Sequence, residues 1–399
     1  MNQHSVTGNK YITTTLAAAA MIIMLSASTK NTNAQMKRAR DCGIEIGILR
    51  PGNYNAITDV PGVKVGQVTL REGDSVKTGV TAILPHSGNI FQEKVPAGIF
   101  VGNGFGKLTG YTQVEELGNL ETPIVLTNTL SVPVAAAAVI DYTLRQPGNE
   151  GVMSVNAVVG ETNDARLNDI RGRHITKEHV LEAIGNAVAG RVDEGNVGAG
   201  TGTVCFGFKG GIGTASRIIP QKRGGYTVGV LVQTNYGGIL QVNGVPVGQE
   251  LGRFSFRNNV SEYREDGYKE DGSCMIIVMT DAPLTSRNLK RLGARAFAGM
   301  MRTGASGSNG SGDYVIAVST AEDLRIPYSS GSMYEEWREI RNDEMDLLFQ
   351  AAAEATEEAI INSLFAAETT KARNGMTVEA LPVEKTLEIL RKYNRLKEK

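Results

Sequence analysis

The residues best suited to chemistry lie at one junction, where a charged turn meets an apolar run. The stretch "EDGSCMIIVMTDAP" spans residues 270–283, and Ser273 opens the apolar run directly after Gly272. A turn that ends in Gly-Ser before a buried strand is a common arrangement and requires no function. The alternative is that the Gly272–Ser273 bond is itself the functional feature.

A serine that begins a chain can act as a nucleophile without a histidine. Its own α-amine has a pKa of about 7.7–8, close to the pH at which a general base works best. Ser273 gains such an amine only if the Gly272–Ser273 bond is cut. Gly272 suits this step, because a residue without Cβ tolerates a distorted backbone and lets the Ser273 hydroxyl reach the Gly272 carbonyl. An N-to-O acyl shift followed by hydrolysis would release the new N-terminus.

Other catalytic motifs do not fit. "GASGSNGSG" at 304–312 lacks the spacing of a G-x-S-x-G elbow. "GNGFGK" at 102–107 resembles a phosphate loop, but Leu108 stands where Ser or Thr should follow the lysine. "GAGTGT" at 198–203 is not a dinucleotide-binding fingerprint. These glycine clusters are interpreted as tight turns.

Histidine and cysteine give no sign of a metal site. The four histidines form no H-E-x-x-H motif and no pair at ligand spacing, so metal-dependent hydrolysis is not expected. The three cysteines form no C-x-x-C pattern, and Cys205 and Cys274 stand in apolar contexts that predict core positions. If the protein is a hydrolase, its base need not be histidine.

Composition and charge describe an ordinary globular chain. Its 399 residues include 41 basic and 42 acidic side chains, for a net charge of −1. This balance gives no electrostatic reason to expect a nucleic acid or an anionic membrane as partner. No repeat, charge block or Pro-rich linker interrupts residues 41–340, which predicts one compact unit.

The N-terminus has the pattern of a secretory signal peptide. Lys10 precedes the apolar run "LAAAAMIIML" at 16–25, and the small residues at 32–34 form a suitable cleavage site. An apolar run this short does not span a bilayer, and the polar flank argues against a buried helix. We therefore predict a signal peptide over 1–34 and an exported soluble protein, periplasmic or secreted, with no membrane attachment after signal removal.

Short apolar runs bounded by Gly, Asn and Pro predict a strand-rich fold. The clearest predicted strands lie at 64–70, 81–86, 123–128, 154–162, 229–235, 274–280 and 314–320. Helical periodicity predicts helices that begin near Ser131, Thr176, Thr285, Asn342 and Pro382, the fourth of them capped by its asparagine. Strands outnumber helices and do not alternate regularly with them, so the sequence predicts an α+β fold with segregated helices.

Several ordered blocks resemble a known family of peptidases. "DGSCMIIVMTDAPL", followed by "NGSGDYVIAVST", resembles the L-aminopeptidase/D-esterase and β-peptidyl aminopeptidase family, whose members cleave themselves. Their fold is similar to that of N-terminal nucleophile hydrolases. The resemblance covers nearly the whole mature chain, with further blocks at 52–70, 114–132, 161–175, 194–217 and 228–237.

The resemblance implies roles for individual residues. Ser273 matches the family's nucleophile, which cleavage after Gly272 creates. Ser311 and Asp313 in "NGSGDY" match the serine and the acidic residue that support it, with Asp where other members carry Glu. Asn235 in "LVQTN" matches an asparagine of the oxyanion hole. Without the resemblance, the last three residues would be interpreted as turn formers and a strand end.

The residues expected to contact the substrate match the family pattern less closely than the catalytic residues do. Glu161 in "GETND" matches an acidic position that holds the substrate's ammonium in some members; its alternative is a solvated loop carboxylate. Two residues depart from the family pattern. Gln67 replaces a frequent histidine, and Asn163 replaces an aromatic residue that lines the pocket in some members. The second departure leaves the preference between α- and β-amino acids open.

Together, these matches imply a four-layer αββα sandwich and a precursor cut into chains 35–272 and 273–399. The resemblance implies small peptides, aminoacyl amides or esters with a free N-terminus as substrates. It also implies no metal or organic cofactor and a homo-oligomer of two-chain units. Two alternatives remain open. One is an amino-acid acyltransferase on a similar fold, and the other is a non-catalytic binding protein.

Overall fold

The computed structural model describes Met1 and residues 38–257, 271–372 and 374–396. The chain divides into two units, residues 1–36 and residues 37–399. The following description applies to the second unit. The predicted signal peptide over 1–34 lies outside the described residues, apart from Met1. None of the described helices is both long and apolar enough to cross a membrane.

Strands and helices are segregated along the chain as predicted. The strands are β1 Lys64–Glu72, β2 Val76–Leu84, β3 Glu93–Gly104, β4 Asn119–Leu120, β5 Ile124–Asn128, β6 Val158–Thr162, β7 Val204–Cys205, β8 Phe208–Lys209, β9 Ile212–Ile218, β10 Thr227–Asn235, β11 Asp271–Thr280, β12 Gly310–Ser319, β13 Ile326–Pro327, β14 Thr370–Lys371 and β15 Thr377–Val378. The α-helices are α1 Tyr111–Leu117, α2 Val132–Leu144, α3 Lys177–Gly185, α4 Val247–Glu250, α5 Ser286–Arg302, α6 Asp346–Phe365 and α7 Val383–Lys392.

Two sheets form the middle of the molecule. The smaller sheet has the order β1-β2-β5-β6, with a parallel pair at β5 and β6. The larger sheet has the order β13-β3-β12-β11-β10-β9, and β4 pairs with β3. Within it, β11 and β12 run parallel, whereas β10 with β11 and β12 with β3 are antiparallel. β11 is therefore the central strand that contacts both β10 and β12.

Alternating side chains of β11 show how the layers pack. Met275 and Ile277 belong to a core shared with the smaller sheet. Cys274 and Ile276 belong to a second core, shared with helices α5 and α6. A third core lies between the smaller sheet and helices α2 and α3. Because successive strand residues point to opposite faces, these three cores produce the predicted αββα sandwich.

Helices α5 and α6 pack on the larger sheet, and different features of their sequences explain how each one packs. Buried residues of α5 recur at Leu289, Leu292, Ala296 and Met300, the spacing of one helical face. The α6 helix is alanine-rich and mostly buried, which lets α5 pack closely against it. An added Cβ at Gly299 would lie only 2.3 Å from a carbonyl oxygen of α6.

One predicted helix start is wrong. Asn342 does not cap α6, because residues Asn342–Glu344 form a separate 3-10 turn and the α-helix begins at Asp346. The Asn342 side chain instead accepts hydrogen bonds from Arg287 at 2.7 Å and Arg291 at 3.1 Å, both on α5. A tertiary contact thus replaces the predicted local cap.

Candidate active site

Strand register brings the predicted residues together. In the antiparallel pair of β10 and β11, Asn235 lies opposite Ser273. In the parallel pair of β11 and β12, Gly272 lies beside Ser311 and Ser273 beside Gly312. Adjacent strands are about 4.8 Å apart. Residues far apart in the sequence therefore meet at one end of the larger sheet.

Two N–H donors converge on the Ser273 hydroxyl. Asn235 Nδ2 donates to Ser273 Oγ at 3.1 Å, and the backbone N–H of Asn163 donates to the same atom at 3.3 Å. Asn235 Oδ1 accepts from the Val204 N–H at 3.0 Å, which fixes the amide with Nδ2 toward the serine. Donors fixed in this way can stabilise negative charge that develops on a carbonyl oxygen beside the nucleophile.

Ser311 and Asp313 form a hydrogen-bonded pair. They are two residues apart on β12, so their side chains leave the same face of the sheet, and Ser311 Oγ donates to Asp313 Oδ1 at 2.8 Å. Burial raises the pKa of Asp313 to about 6, although the Ser311 hydroxyl and the Cys274 backbone oppose that rise. The pair can accept and return a proton near neutral pH.

Gly272 has a packing role in addition to the one predicted from the sequence. The chain passes through Gly272 within strand β11, and its backbone is not in the left-handed region that favours glycine. A Cβ at this position would lie 2.8 Å from Ser311 Oγ and 3.3 Å from Tyr236 Cβ. The glycine therefore makes room for the Ser311 hydroxyl beside the peptide bond that precedes Ser273.

Glu161 is a buried carboxylate rather than a solvated loop residue. It lies on β6, and its Oε1 accepts from the Lys107 N–H at 3.0 Å while Oε2 accepts from Thr129 Oγ1. Burial raises the pKa of Glu161, and these hydrogen bonds with the Lys107 charge partly offset the rise. Glu161 precedes Asn163 by two residues, which places it close in sequence to an N–H donor of the site. A buried carboxylate with unused lone pairs can bind an ammonium group.

Sequence reasoning missed the support behind the Asn163 N–H. Asp164 is buried, and its Oδ1 accepts from Asn168 Nδ2 at 3.0 Å. Burial raises the pKa of Asp164 to about 6, against the effect of hydrogen bonds from Thr78, Asn168 and Asn128. No short motif marks this role. The only signal was a cluster of polar residues directly after a predicted buried strand.

The remaining residues that the sequence analysis singled out lie in different surroundings. Gln67 lies on β1 and donates to the Asp193 carbonyl at 3.2 Å, whereas Asn163 contacts Ser273 through its backbone. Cys205 and Cys274 are fully buried, as predicted. Among the described residues, no group of three or more His, Cys, Asp or Glu side chains is arranged to hold a metal ion.

Known proteins of similar structure define the class. The chain resembles a β-aminopeptidase of Burkholderia sp. (42% identity, TM-score 0.81, covering 89% of this chain and 99% of that one). It also resembles the L-aminopeptidase D-Ala-esterase/amidase of Ochrobactrum anthropi, described as a variant of the Ntn hydrolase fold (36% identity, TM-score 0.80, covering 90% and 99%). The protein is thus a serine aminopeptidase with an Ntn-like α+β fold.

Sequence comparison gives the family. Residues 55–378 match peptidase family S58, and the chain belongs to that family. It is 44% identical over 381 residues to the β-peptidyl aminopeptidase BapA of Sphingosinicella microcystinivorans, covering 91% of this chain and 94% of that protein. Membership favours the aminopeptidase over the acyltransferase and the non-catalytic binding protein considered from the sequence.

Proposed function

We propose that this protein is an exported aminopeptidase precursor that cuts its own Gly272–Ser273 bond and then uses Ser273 as an N-terminal nucleophile. One observation carries the proposal. The Ser273 hydroxyl oxygen accepts hydrogen bonds from two N–H donors, and the Ser311–Asp313 pair lies directly beside Gly272. A structural Gly-Ser turn would need neither feature.

In the self-cleavage step, Ser273 Oγ attacks the Gly272 carbonyl carbon and forms a new C–O bond. The C–N bond breaks as the Ser273 nitrogen takes up the proton that the hydroxyl loses, which leaves an ester and a free α-amine. Water then hydrolyses the ester, so that Gly272 ends one chain and Ser273 begins the next. Ser311 Oγ is placed to pass the proton toward Asp313, because it lies beside Gly272 and donates to that carboxylate at 2.8 Å.

In turnover, the same hydroxyl attacks the carbonyl of the substrate's N-terminal residue. The new α-amine of Ser273 and the Ser311–Asp313 pair move the proton to the leaving amine, and water hydrolyses the acyl-enzyme. Asn235 Nδ2 and the Asn163 N–H hold the oxyanion, and one such donor typically contributes ~3–4 kcal/mol to the transition state. Glu161 holds the free ammonium, which restricts the enzyme to substrates with an unblocked N-terminus.

Substrates of this site are small peptides and aminoacyl amides or esters, including those that begin with a β-amino acid. The similarity to proteins named β-peptidyl aminopeptidase and β-aminopeptidase supports this choice. The signal-peptide pattern over 1–34 supports export to the periplasm or beyond. Assembly into a homo-oligomer of two-chain units is part of the same proposal and follows from the family resemblance.

The proposed cut would leave two chains that share one sheet. Strands β3, β9 and β10 would belong to the first chain, and β12, β13 and the part of β11 from Ser273 onward to the second. The pairs β10–β11 and β12–β3 would then join the two chains. Separating them would expose the central strands, at ~25 cal/mol per Å² of apolar surface. We therefore propose that chains 35–272 and 273–399 stay associated.

Intact-mass spectrometry and a denaturing gel test this proposal. The wild-type protein should give two masses whose junction lies between Gly272 and Ser273, and Ser273→Ala should give one. The cleaved protein should release leucine from β-alanyl-leucine, and N-acetylation of that peptide should abolish release. One uncut band in active wild-type enzyme would refute the mechanism, while transfer to an added amine in place of hydrolysis would indicate an acyltransferase.

A further inference from the structure

A short loop after β3 connects the two halves of the candidate site. The N–H of Phe105 donates to the Ser311 carbonyl at 3.2 Å, and the N–H of Lys107 donates to Glu161 Oε1 at 3.0 Å. The loop therefore bridges a residue beside the nucleophile and the carboxylate proposed to bind the substrate's ammonium. It is also the "GNGFGK" segment whose glycines resemble a phosphate loop.

Close packing fixes the backbone of this loop. An added Cβ at Gly312 would lie 2.8 Å from the Phe105 carbonyl oxygen, so the loop rests directly on β12. An added Cβ at Gly106 would lie 3.0 Å from the Tyr314 ring and 3.3 Å from Glu161 Oε1. The side chain of the next residue, Lys107, thus starts from a fixed point next to the carboxylate.

The Lys107 side chain supplies a positive charge at this position. Its side chain is exposed, and it makes no ion pair with any residue that the structure describes. Burial is the main influence on Glu161 and raises its pKa, while the nearby Lys107 charge acts in the opposite direction. A four-carbon stem lets the ammonium turn toward a ligand held by Glu161.

A substrate that uses both groups must carry an ammonium and a carboxylate close together. We propose that Glu161 and Lys107 together recognise a zwitterionic N-terminal residue, and that β-aspartyl peptides are a substrate class of this enzyme. In such peptides one carbon bears both the ammonium and the free α-carboxylate, and the reacting carbonyl lies two carbons away. This residue is a β-amino acid with an added carboxylate, so the inference rests on the proposed function and extends it.

The chemistry needs no further reactant than water. Ser273 Oγ bonds to the β-carbonyl carbon as the amide C–N bond breaks, and the serine proton passes to the leaving amine. Water then hydrolyses the ester to free aspartate. Throughout, Glu161 pairs with the ammonium and Lys107 with the α-carboxylate, so neither charge of the substrate is left unpaired beside the buried carboxylate.

The test compares three dipeptides on the mature enzyme: β-aspartyl-leucine, its neutral α-carboxamide and β-alanyl-leucine. Leucine release gives kcat and KM for each. For the wild type, kcat/KM should be roughly tenfold higher for the carboxylate than for the carboxamide, mainly through KM. Lys107→Gln should bring this ratio close to one, and Lys107→Arg should keep most of it. Lys222→Gln, an exposed lysine near the opposite end of β10, should leave the ratio at the wild-type value.

Failure of this inference can be told from failure of the proposed function. If the wild type cleaves β-alanyl-leucine but shows no preference for the carboxylate over the carboxamide, the role of Lys107 is refuted and the aminopeptidase proposal stands. A preference that survives Lys107→Gln also refutes it. If α-aspartyl-leucine shows the same preference and the same loss in Lys107→Gln, the carboxylate site stands but its restriction to β-aspartyl residues is refuted. If no β-peptide is cleaved, this inference fails together with the β-amino acid part of the proposed function, while intact mass still decides the self-cleavage.

Discussion

Gly272→Ala tests whether space for Ser311 controls the proposed self-cleavage. The added Cβ would lie 2.8 Å from Ser311 Oγ, and Tyr236 Cβ at 3.3 Å blocks a shift in that direction. Ser311 must rotate away and lose its 2.8 Å hydrogen bond to Asp313. A hydrogen bond to a charged group contributes ~1.5–3 kcal/mol. Its loss in the transition state would slow cleavage by about 10- to 150-fold.

A time course of fresh precursor on a denaturing gel measures this rate, with intact mass to locate the cut. Gly185→Ala is the matched control, because an added Cβ there meets nothing within 4 Å. Thermal unfolding of both precursors shows whether they are folded. Cleavage of a folded Gly272→Ala precursor at the wild-type rate would refute the reasoning. It would mean that the position of the Ser311 hydroxyl does not limit the step.

Three further predictions concern charged groups. Because Asp313 has a pKa raised to about 6 and accepts a proton only when ionised, kcat/KM should fall about tenfold per pH unit below 6; a flat profile from pH 7 to 4 would contradict this. Asp164→Asn should lower kcat more than it raises KM, with little change in melting temperature, because it loosens the turn that carries an oxyanion donor; an unchanged kcat would contradict that role. Arg217→Met should cost about 3–5 kcal/mol of unfolding free energy by denaturant titration, because it removes the buried cation that pairs with Glu354 and Glu358, and only Glu358 keeps another ion pair among the described residues, with Arg40. The exposed pair of Arg223 gives the control, since Arg223→Met should cost no more than about 1 kcal/mol.

Features that depend on one continuous stretch were predictable from the sequence. Ser273 stands out because glycine and an apolar run flank it directly, and the seven predicted strands all overlap observed ones. The α5 helix follows from its apolar face and from Thr285 before it. In each case the neighbouring residues supply the whole signal, either as a turn or as a periodicity.

Features that depend on backbone groups or distant partners were not predictable. The N–H groups of Asn163 and Lys107 reach Ser273 and Glu161, but any residue except proline offers an N–H, so no residue type marks them. The β3 and β9 strands were missed because Gly, Pro and polar residues interrupt their apolar pattern. The close approach of Gly272 to Ser311 likewise depends on β12, a strand that is distant in the sequence.

The order of the larger sheet bears on when the proposed cut occurs. The Asn235 and Asn163 donors come from before the cut, and Ser311 with Asp313 from after it. Asn235, Ser311 and Asp313 come close to Ser273 only when β10, β11 and β12 have paired, and the Asn163 N–H only when β6 of the smaller sheet packs against β11. The buried ion pairs of Arg217 with Glu354 at 3.0 Å and with Glu358 at 2.7 Å join the same two parts of the chain. We therefore infer that cleavage follows folding: the native sheet assembles the site that breaks the bond, and it holds both products afterwards.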